Sequence, residues 1–131
     1  MVQKIASLID ETLMAMNAHL HVQMTNEEKA YLDAHFELIH IKKGEHLMNR
    51  GDEVCYLYYL EAGTIQLSFP DKGKREISAR FIEPKEFVNF SLSHEEQLSH
   101  YNVKALEHCK VWRLPKQDLQ QLYDLSRSEE R

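Results

Sequence analysis

Apolar residues recur along this chain with two different periods, and the change between them falls near Phe36. In the first segment Ile5, Leu8, Ile9, Leu13, Met16 and Leu20 return at helical spacing, while Gln3, Lys4, Asp10, Glu11 and Asn17 occupy the rest of the wheel. This predicts an amphipathic helix with one buried stripe. The stretch TNEEKAYLDAHF opens with Thr25 and places Glu28 three residues later, the spacing of a capping box in which each side chain satisfies an orphan backbone amide. A second, short helix is expected from about Asn26.

From Phe36 onward the runs FELIHI, EHLM, VCYLYYLE, TIQLSF, REISARFI, NVKALE and CKVWRL are short, rich in Ile, Val, Phe, Tyr and Leu, and separated by polar turns. Gly44, Gly51, Gly63 and Gly73 all fall in those turns, where positive φ carries no Cβ clash. PDKGKR, between two such runs, is a hairpin signal built on Pro70, Asp71 and Gly73, and Glu61-Ala62-Gly63 is a similar reversal. Pro115 suits a first helical turn, and Leu119, Leu122 and Tyr123 share one face of the segment that follows, so a closing helix is predicted before the polar tail SRSEER. The expected fold class is mainly β with flanking helices. About eight antiparallel strands of this length avoid open edges by wrapping into a jelly roll, a double-stranded β-helix barrel. One domain is expected over residues 1–131, with helices in 1–35, the barrel in 36–114, and a closing helix and tail in 115–131.

Composition narrows the function classes. The net charge of −5 offers no general attraction to a phosphate backbone, which disfavours direct binding to DNA or RNA. Asp10 and Glu11 interrupt what would have to be a signal core, and no apolar run reaches membrane-spanning length, so a cytoplasmic protein with no membrane partner is expected. Cys55 and Cys109 lie in apolar strand-like runs and are read as buried and reduced.

With Gly44-Glu45, Arg50-Gly51-Asp52, Tyr58-Tyr59-Leu60-Glu61-Ala62-Gly63, Glu86-Phe87 and Val103-Lys104-Ala105 in order, the chain resembles the cyclic-nucleotide-binding domain of the Crp/Fnr regulator superfamily, over about Thr25 to Tyr123. The resemblance implies a jelly roll enclosing a cyclic nucleotide, with a phosphate cassette in PKEFVNFSLSHEEQLSHYNVKAL. It implies ligand contacts from Glu86, Phe87, Val88, Ser99, His100, Asn102 and Val103. Glu86 stands where the family's glutamate takes the ribose hydroxyl, but Lys85 replaces the glycine before it. Ser99 stands where the arginine that grips the cyclic phosphate should be. A guanidinium presents a rigid fork of charge-assisted donors, about twice as strong as neutral ones. Serine is too short and uncharged to replace it. Glu95 and Glu96 add like charge beside the phosphate position, Tyr101 could fill the space of a nucleotide, and Ser93 with Glu96 forms a second capping box. Any phosphate held here would rely on helix amides, Ser91, Ser93, His94 or His100.

Other chemistry finds less support. His19-x-His21 precedes the strands and the barrel runs lack such spacing, so neither it nor His94 with His100 makes a metal centre, and His40 and His46 are read as strand decoration. His108 and Cys109 are strand neighbours and point to opposite faces, so no base sits beside the thiol and no enzyme is expected. Tyr56, Tyr58 and Tyr59 are read as sheet packing. The family's dimerisation helix and helix-turn-helix domain would lie beyond Arg131, so unless the chain is a piece of a longer regulator, any signal is expected to leave through a partner surface.

Two readings stay open. One is a sensory, regulatory domain that binds a cyclic nucleotide or another small ligand and signals through a protein partner rather than through DNA. The other is a degenerate barrel that binds no nucleotide and acts as a protein-interaction scaffold. The first helix offers either a dimer surface or a face packed on the barrel. No cofactor is implied beyond a cyclic nucleotide ligand.

Overall fold

The computed structural model describes residues 5, 7–9, 11, 25–89 and 98–118. By compactness the chain divides into two units, one of Met1–Phe36 with Leu114–Arg131 and the other of Glu37–Arg113. In the first unit, residues 5, 7–9 and 11 are helical, and Ile5 and Ile9, one helical turn apart, are both buried. The rest of the predicted stripe lies outside the described residues. Helix α1 runs Asn26–His35. Its start is where the sequence places it: the Thr25 hydroxyl accepts the Glu28 N–H at 3.1 Å, and the Glu28 carboxylate accepts the Thr25 N–H at 2.8 Å.

The second unit is the jelly roll. Strands β1 (Glu37–Ile41), β2 (His46–Met48), β3 (Tyr56–Ala62), β4 (Ile65–Pro70), β5 (Glu76–Ile82), β6 (Glu86–Phe87), β7 (Asn102–Ala105) and β8 (Cys109–Pro115) form two antiparallel four-stranded sheets. The orders are β1-β8-β3-β6 and β2-β7-β4-β5. Seven of these strands coincide with the apolar runs. The two-residue β6 is too short to register as a run, and tertiary pairing of Phe87 with Tyr59 and Glu86 with Leu60 makes it a strand.

Alternation decides which side chains face inward. Tyr58 and Leu60 of β3, Ile65 and Leu67 of β4, Val103 and Ala105 of β7, and Cys109 and Val111 of β8 form the core with Met48, Ile82 and Val88. Each fully buried Leu, Ile or Val contributes about 1.5–3 kcal/mol by leaving water. Cys109 is buried as expected. Cys55 is exposed, a correction: it sits in the irregular segment before β3 rather than in the strand itself.

The turns also amend expectation. Gly44, Gly51 and Gly63 have positive φ, but in the β4–β5 hairpin that conformation belongs to Lys74 (φ 62°) rather than Gly73. Asp71 fixes this choice: its carboxylate accepts the Arg75 N–H, and its carbonyl accepts the Lys74 N–H. Pro115 ends β8 and residues 116–118 are helical, so the last helix starts one residue later than expected. Leu119, Leu122 and Tyr123 lie outside the described residues.

Gly63 is the glycine that packing demands. At φ 99°, a Cβ there would lie 2.5 Å from the Cys109 sulfur and 2.8 Å from the His108 carbonyl oxygen. Gly44, at φ 89°, has nothing within 4 Å. Gly63→Ala is therefore expected to cost about 2–4 kcal/mol, combining left-handed strain with overpacking. Gly44→Ala should cost only the strain of about 1–2 kcal/mol. The midpoints of urea unfolding at unchanged m-value measure both, and equal losses would remove the packing explanation. Thr25→Ala should cost about 1 kcal/mol by the same measurement, with Thr25→Ser close to wild type.

Candidate functional site

The segment Leu98–Asn102, which leads into β7, is clamped to the turn before β3. Leu98 bridges Glu53, the Ser99 N–H donates to the Asp52 carbonyl at 2.8 Å, and the Gly51 N–H donates to the Ser99 carbonyl at 2.8 Å. The turn itself is closed by the Asn49 N–H donating to the Asp52 carboxylate at 2.8 Å. This is a structural task for Arg50-Gly51-Asp52 that the sequence pattern marked only as a turn.

Within the clamp the side chains are occupied. The Ser99 hydroxyl donates to the Tyr101 carbonyl at 2.6 Å, and the Asn102 amide oxygen accepts the Arg50 N–H at 2.8 Å. The Asn102 amide nitrogen donates to the Glu76 carboxylate at 3.1 Å, and the buried Ser68 hydroxyl donates to the same oxygen. These bonds from Ser68 first and Asn102 second hold the Glu76 carboxyl below its ordinary range. His100 is exposed. Val88 and Val103 are buried in the core, and Phe87 is half-buried with its ring edge-on to Tyr59 at 5.2 Å. The candidate residues thus divide between the clamp, the core and a third group around Glu86. Ser91, Ser93, His94, Glu95 and Glu96, with the helix expected there, lie outside the described residues, as do His19 and His21.

Glu86 closes the turn before β6. One carboxylate oxygen accepts the Glu83 N–H at 2.8 Å, and the other accepts from the Arg80 guanidinium at 2.8 Å. Lys85, in the position where the resembling family has glycine, adopts φ 73°, an angle that glycine reaches without strain. Its N–H donates to the Leu60 carbonyl at 2.7 Å, which ties the turn to β3. Just beyond β6, Asn89 continues the ladder with its side chain, accepting from the Tyr58 N–H at 3.1 Å and donating to the Tyr56 carbonyl at 2.9 Å.

Arg80 was not singled out by sequence reasoning, although alternation in ARFI puts it on the same face as the buried Ile82. The register makes its direction plain. Leu67 of the core pairs with Val103 on one side and Arg80 on the other, and cross-strand partners share a face. Arg80 therefore projects from the inner face of the sheet, yet its side chain is 59% exposed. Two pairings further along, past a bulge between Leu67 and Ser68, Phe69 partners Ile77, which is 39% exposed, and the Phe69 ring lies 6.3 Å from that of Tyr101, itself 37% exposed. Among the described residues, the inner face at this end combines partly exposed apolar side chains with one guanidinium.

On the facing sheet, Arg113 pairs with Glu37 at 2.6 Å and lies 4.5 Å over the Tyr56 ring. Burial pushes the Tyr58 phenol above its ordinary value, against the opposing pull of Arg113. Burial likewise raises the Cys109 thiol, a protonated, packed group unsuited to attack. His40 Nδ1 and His108 Nε2 sit 3.1 Å apart on the exterior, and among the described residues no three His, Cys, Asp or Glu side chains gather at metal-binding distance. Among those residues, no helix is long and apolar enough to cross a membrane.

Comparison with known proteins gives this geometry a context. No curated protein matches the sequence. Solved structures do match, among them the N-terminal domain of a transcriptional regulator from Streptomyces coelicolor A3(2), at TM-score 0.68 and 24% identity, covering 78% of this chain and 71% of that one. A cyclic nucleotide-binding-like protein from Brucella abortus matches at TM-score 0.68 and 17% identity, over 88% of this chain and 99% of that one. The catabolite activator protein of Thermus thermophilus matches at TM-score 0.66 and 20% identity, over 81% of this chain but 51% of that one, so this chain spans about half its length. At such identities these likenesses carry the fold. Residues 38–126 match the family model of the cyclic nucleotide-binding domain, a family of regulatory domains rather than enzymes. The chain belongs to the cyclic nucleotide-binding domain family, and its jelly roll is the one that Crp/Fnr-type regulators share.

Proposed function

We propose that this protein is a sensory, regulatory domain whose jelly roll takes a small ligand and passes the event to a protein partner rather than to DNA. The observation that carries the reading is the open inner face of β5, where Ile77 and Arg80 point inward and remain solvated. A barrel that served only as a scaffold would gain stability by filling that space, since apolar surface left wet forfeits about 25 cal/mol per Å². The net charge of −5 supports a protein rather than a nucleic acid as the downstream partner.

Cyclic nucleotides should bind weakly. The Ser99 hydroxyl is already used by the Tyr101 carbonyl, and both ends of the Asn102 amide are engaged, so a cyclic phosphate would meet no free charged donor from either. The same satisfied contacts favour the second reading, a nucleotide-free interaction scaffold.

Thermal unfolding with cyclic AMP and cyclic GMP separates the two. A ligand at ten times its dissociation constant stabilises the fold by about 1.4 kcal/mol, which in a domain of this size raises Tm by roughly 3–6 °C. We expect a saturable rise only in the millimolar range. Its absence for both nucleotides up to about 10 mM would move the function to another ligand or to the scaffold. In Ser99→Arg, cyclic nucleotide affinity should rise about tenfold or more, the worth of a charge-assisted hydrogen bond. An unchanged affinity in that variant would mean that residue 99 does not face the phosphate.

A further inference from the structure

Resting on the reading that the barrel takes a small ligand, we propose that Arg80, oriented by Glu86, is the anion anchor of this site in place of the phosphate cassette. The ligand class is then a small molecule that joins one anionic group, a phosphate or a carboxylate, to a flat apolar body.

Three observations converge on this assignment. The first is direction: Arg80 shares the inner face with Leu67 and Val103, whereas its sequence neighbour Phe81 shares the outer face with Gln66 and Lys104. The second is orientation. Glu86 takes a single guanidinium nitrogen at 2.8 Å, and Glu86 is itself fixed by the Glu83 N–H at 2.8 Å. The carboxylate thus holds the planar fork in one attitude. Among the described residues the remaining guanidinium donors meet no protein acceptor, and the side chain is 59% exposed. A pair this exposed contributes little to stability, about 0–1 kcal/mol, so stability alone does not account for an arginine on an inward-facing position. The third observation is the surround. Ile77 lies two cross-strand pairs beyond Arg80 on the same sheet and is half-exposed; Phe69 pairs with it, and the Tyr101 ring lies 6.3 Å from that of Phe69.

The chemistry follows from these parts. A guanidinium with one corner held by a carboxylate still presents parallel donors to the two oxygens of a carboxylate or a phosphate. An aromatic or aliphatic body attached to that anion would cover Ile77 and the edges of Phe69 and Tyr101, removing apolar surface from water. Glu86 also keeps the empty site close to neutral, which favours a singly charged anion over a highly charged polyphosphate. Glu86 is a positioning residue here, and Arg80 makes the contact.

Titration of the 15N-labelled full chain, followed by its amide and Arg Nε signals, tests the assignment. The probes are cyclic AMP, phenyl phosphate and 3-phenylpropionate, with inorganic phosphate and adenosine as the halves that lack a body or a charge. The expected result is saturable shifts at Ile77, Arg80 and Tyr101 for the three probes carrying both parts, and binding at least about tenfold weaker for the two halves. Arg80→Gln should weaken the three probes by about tenfold or more, Arg80→Lys should retain part of the affinity, and Ser99→Ala should leave it within about twofold. Unliganded thermal unfolding of each variant confirms that the fold is intact. Affinity unchanged in Arg80→Gln but lost in Ser99→Ala would overturn the anchor while leaving a ligand-binding domain in place. Saturable binding of none of the probes would overturn both the anchor and the sensory reading on which it rests.

Discussion

Strand β4 is held in register by Ile65 and Leu67, which must face the core, and everything at the candidate site depends on that constraint. Ile65 fixes Ile82 on one side and Ala105 on the other, and Leu67 fixes Arg80 and Val103. A slip of one residue would exchange the faces of all of them. Beyond Leu67 the pairing shifts by a bulge, so that Ser68 meets Ser78 and Phe69 meets Ile77. The apolar ladder closes the barrel at the Ile65 end. At the far end Arg80 faces inward opposite Leu67, and the extra residue of the bulge brings Ile77 onto the same face opposite Phe69, with neither side chain buried.

A second consequence concerns polar groups. The segment entering β7 spends its hydrogen-bonding capacity on the protein: Ser99 on Tyr101 and Asp52, and Asn102 on Arg50 and Glu76. Such a segment is ordered without a ligand, because its donors and acceptors are satisfied at no further cost in desolvation. In the proposed site the charged donor therefore comes from the sheet, at Arg80, rather than from Ser99 or Asn102. Arg80 is anchored on a strand, and strands hold side chains more exactly than loops do.

Family membership and site chemistry answer separate questions. The match over residues 38–126 establishes what kind of domain this is, and a shared fold leaves the ligand to be decided by the groups in the site. Among the described residues, the groups of the proposed site are one guanidinium, one carboxylate committed to a turn, and three partly exposed apolar side chains. They differ from the cassette implied by the resemblance, in which an arginine at residue 99 would have gripped the phosphate.

The sequence by itself determined the elements whose causes are local. The Thr25–Glu28 box sets the start of α1 because both partners lie within one turn, and the seven apolar runs become strands because alternation is a property of adjacent residues. The loss of the arginine at Ser99 could be read directly from the chain. What tertiary structure decided is whatever depends on residues distant in sequence. Strand β6 exists because Tyr59 and Leu60 pair with it, and Cys55 is exposed because it lies in the irregular segment before β3 rather than in the strand. Positive φ falls on Lys74 and Lys85 because Asp71 and Leu60 accept their N–H groups. The inward placement of Arg80 was hidden for the same reason. Its alternation with Ile82 was visible in ARFI, but only the pairing with Leu67 and the contact with Glu86 distinguish an inward arginine from an ordinary surface charge.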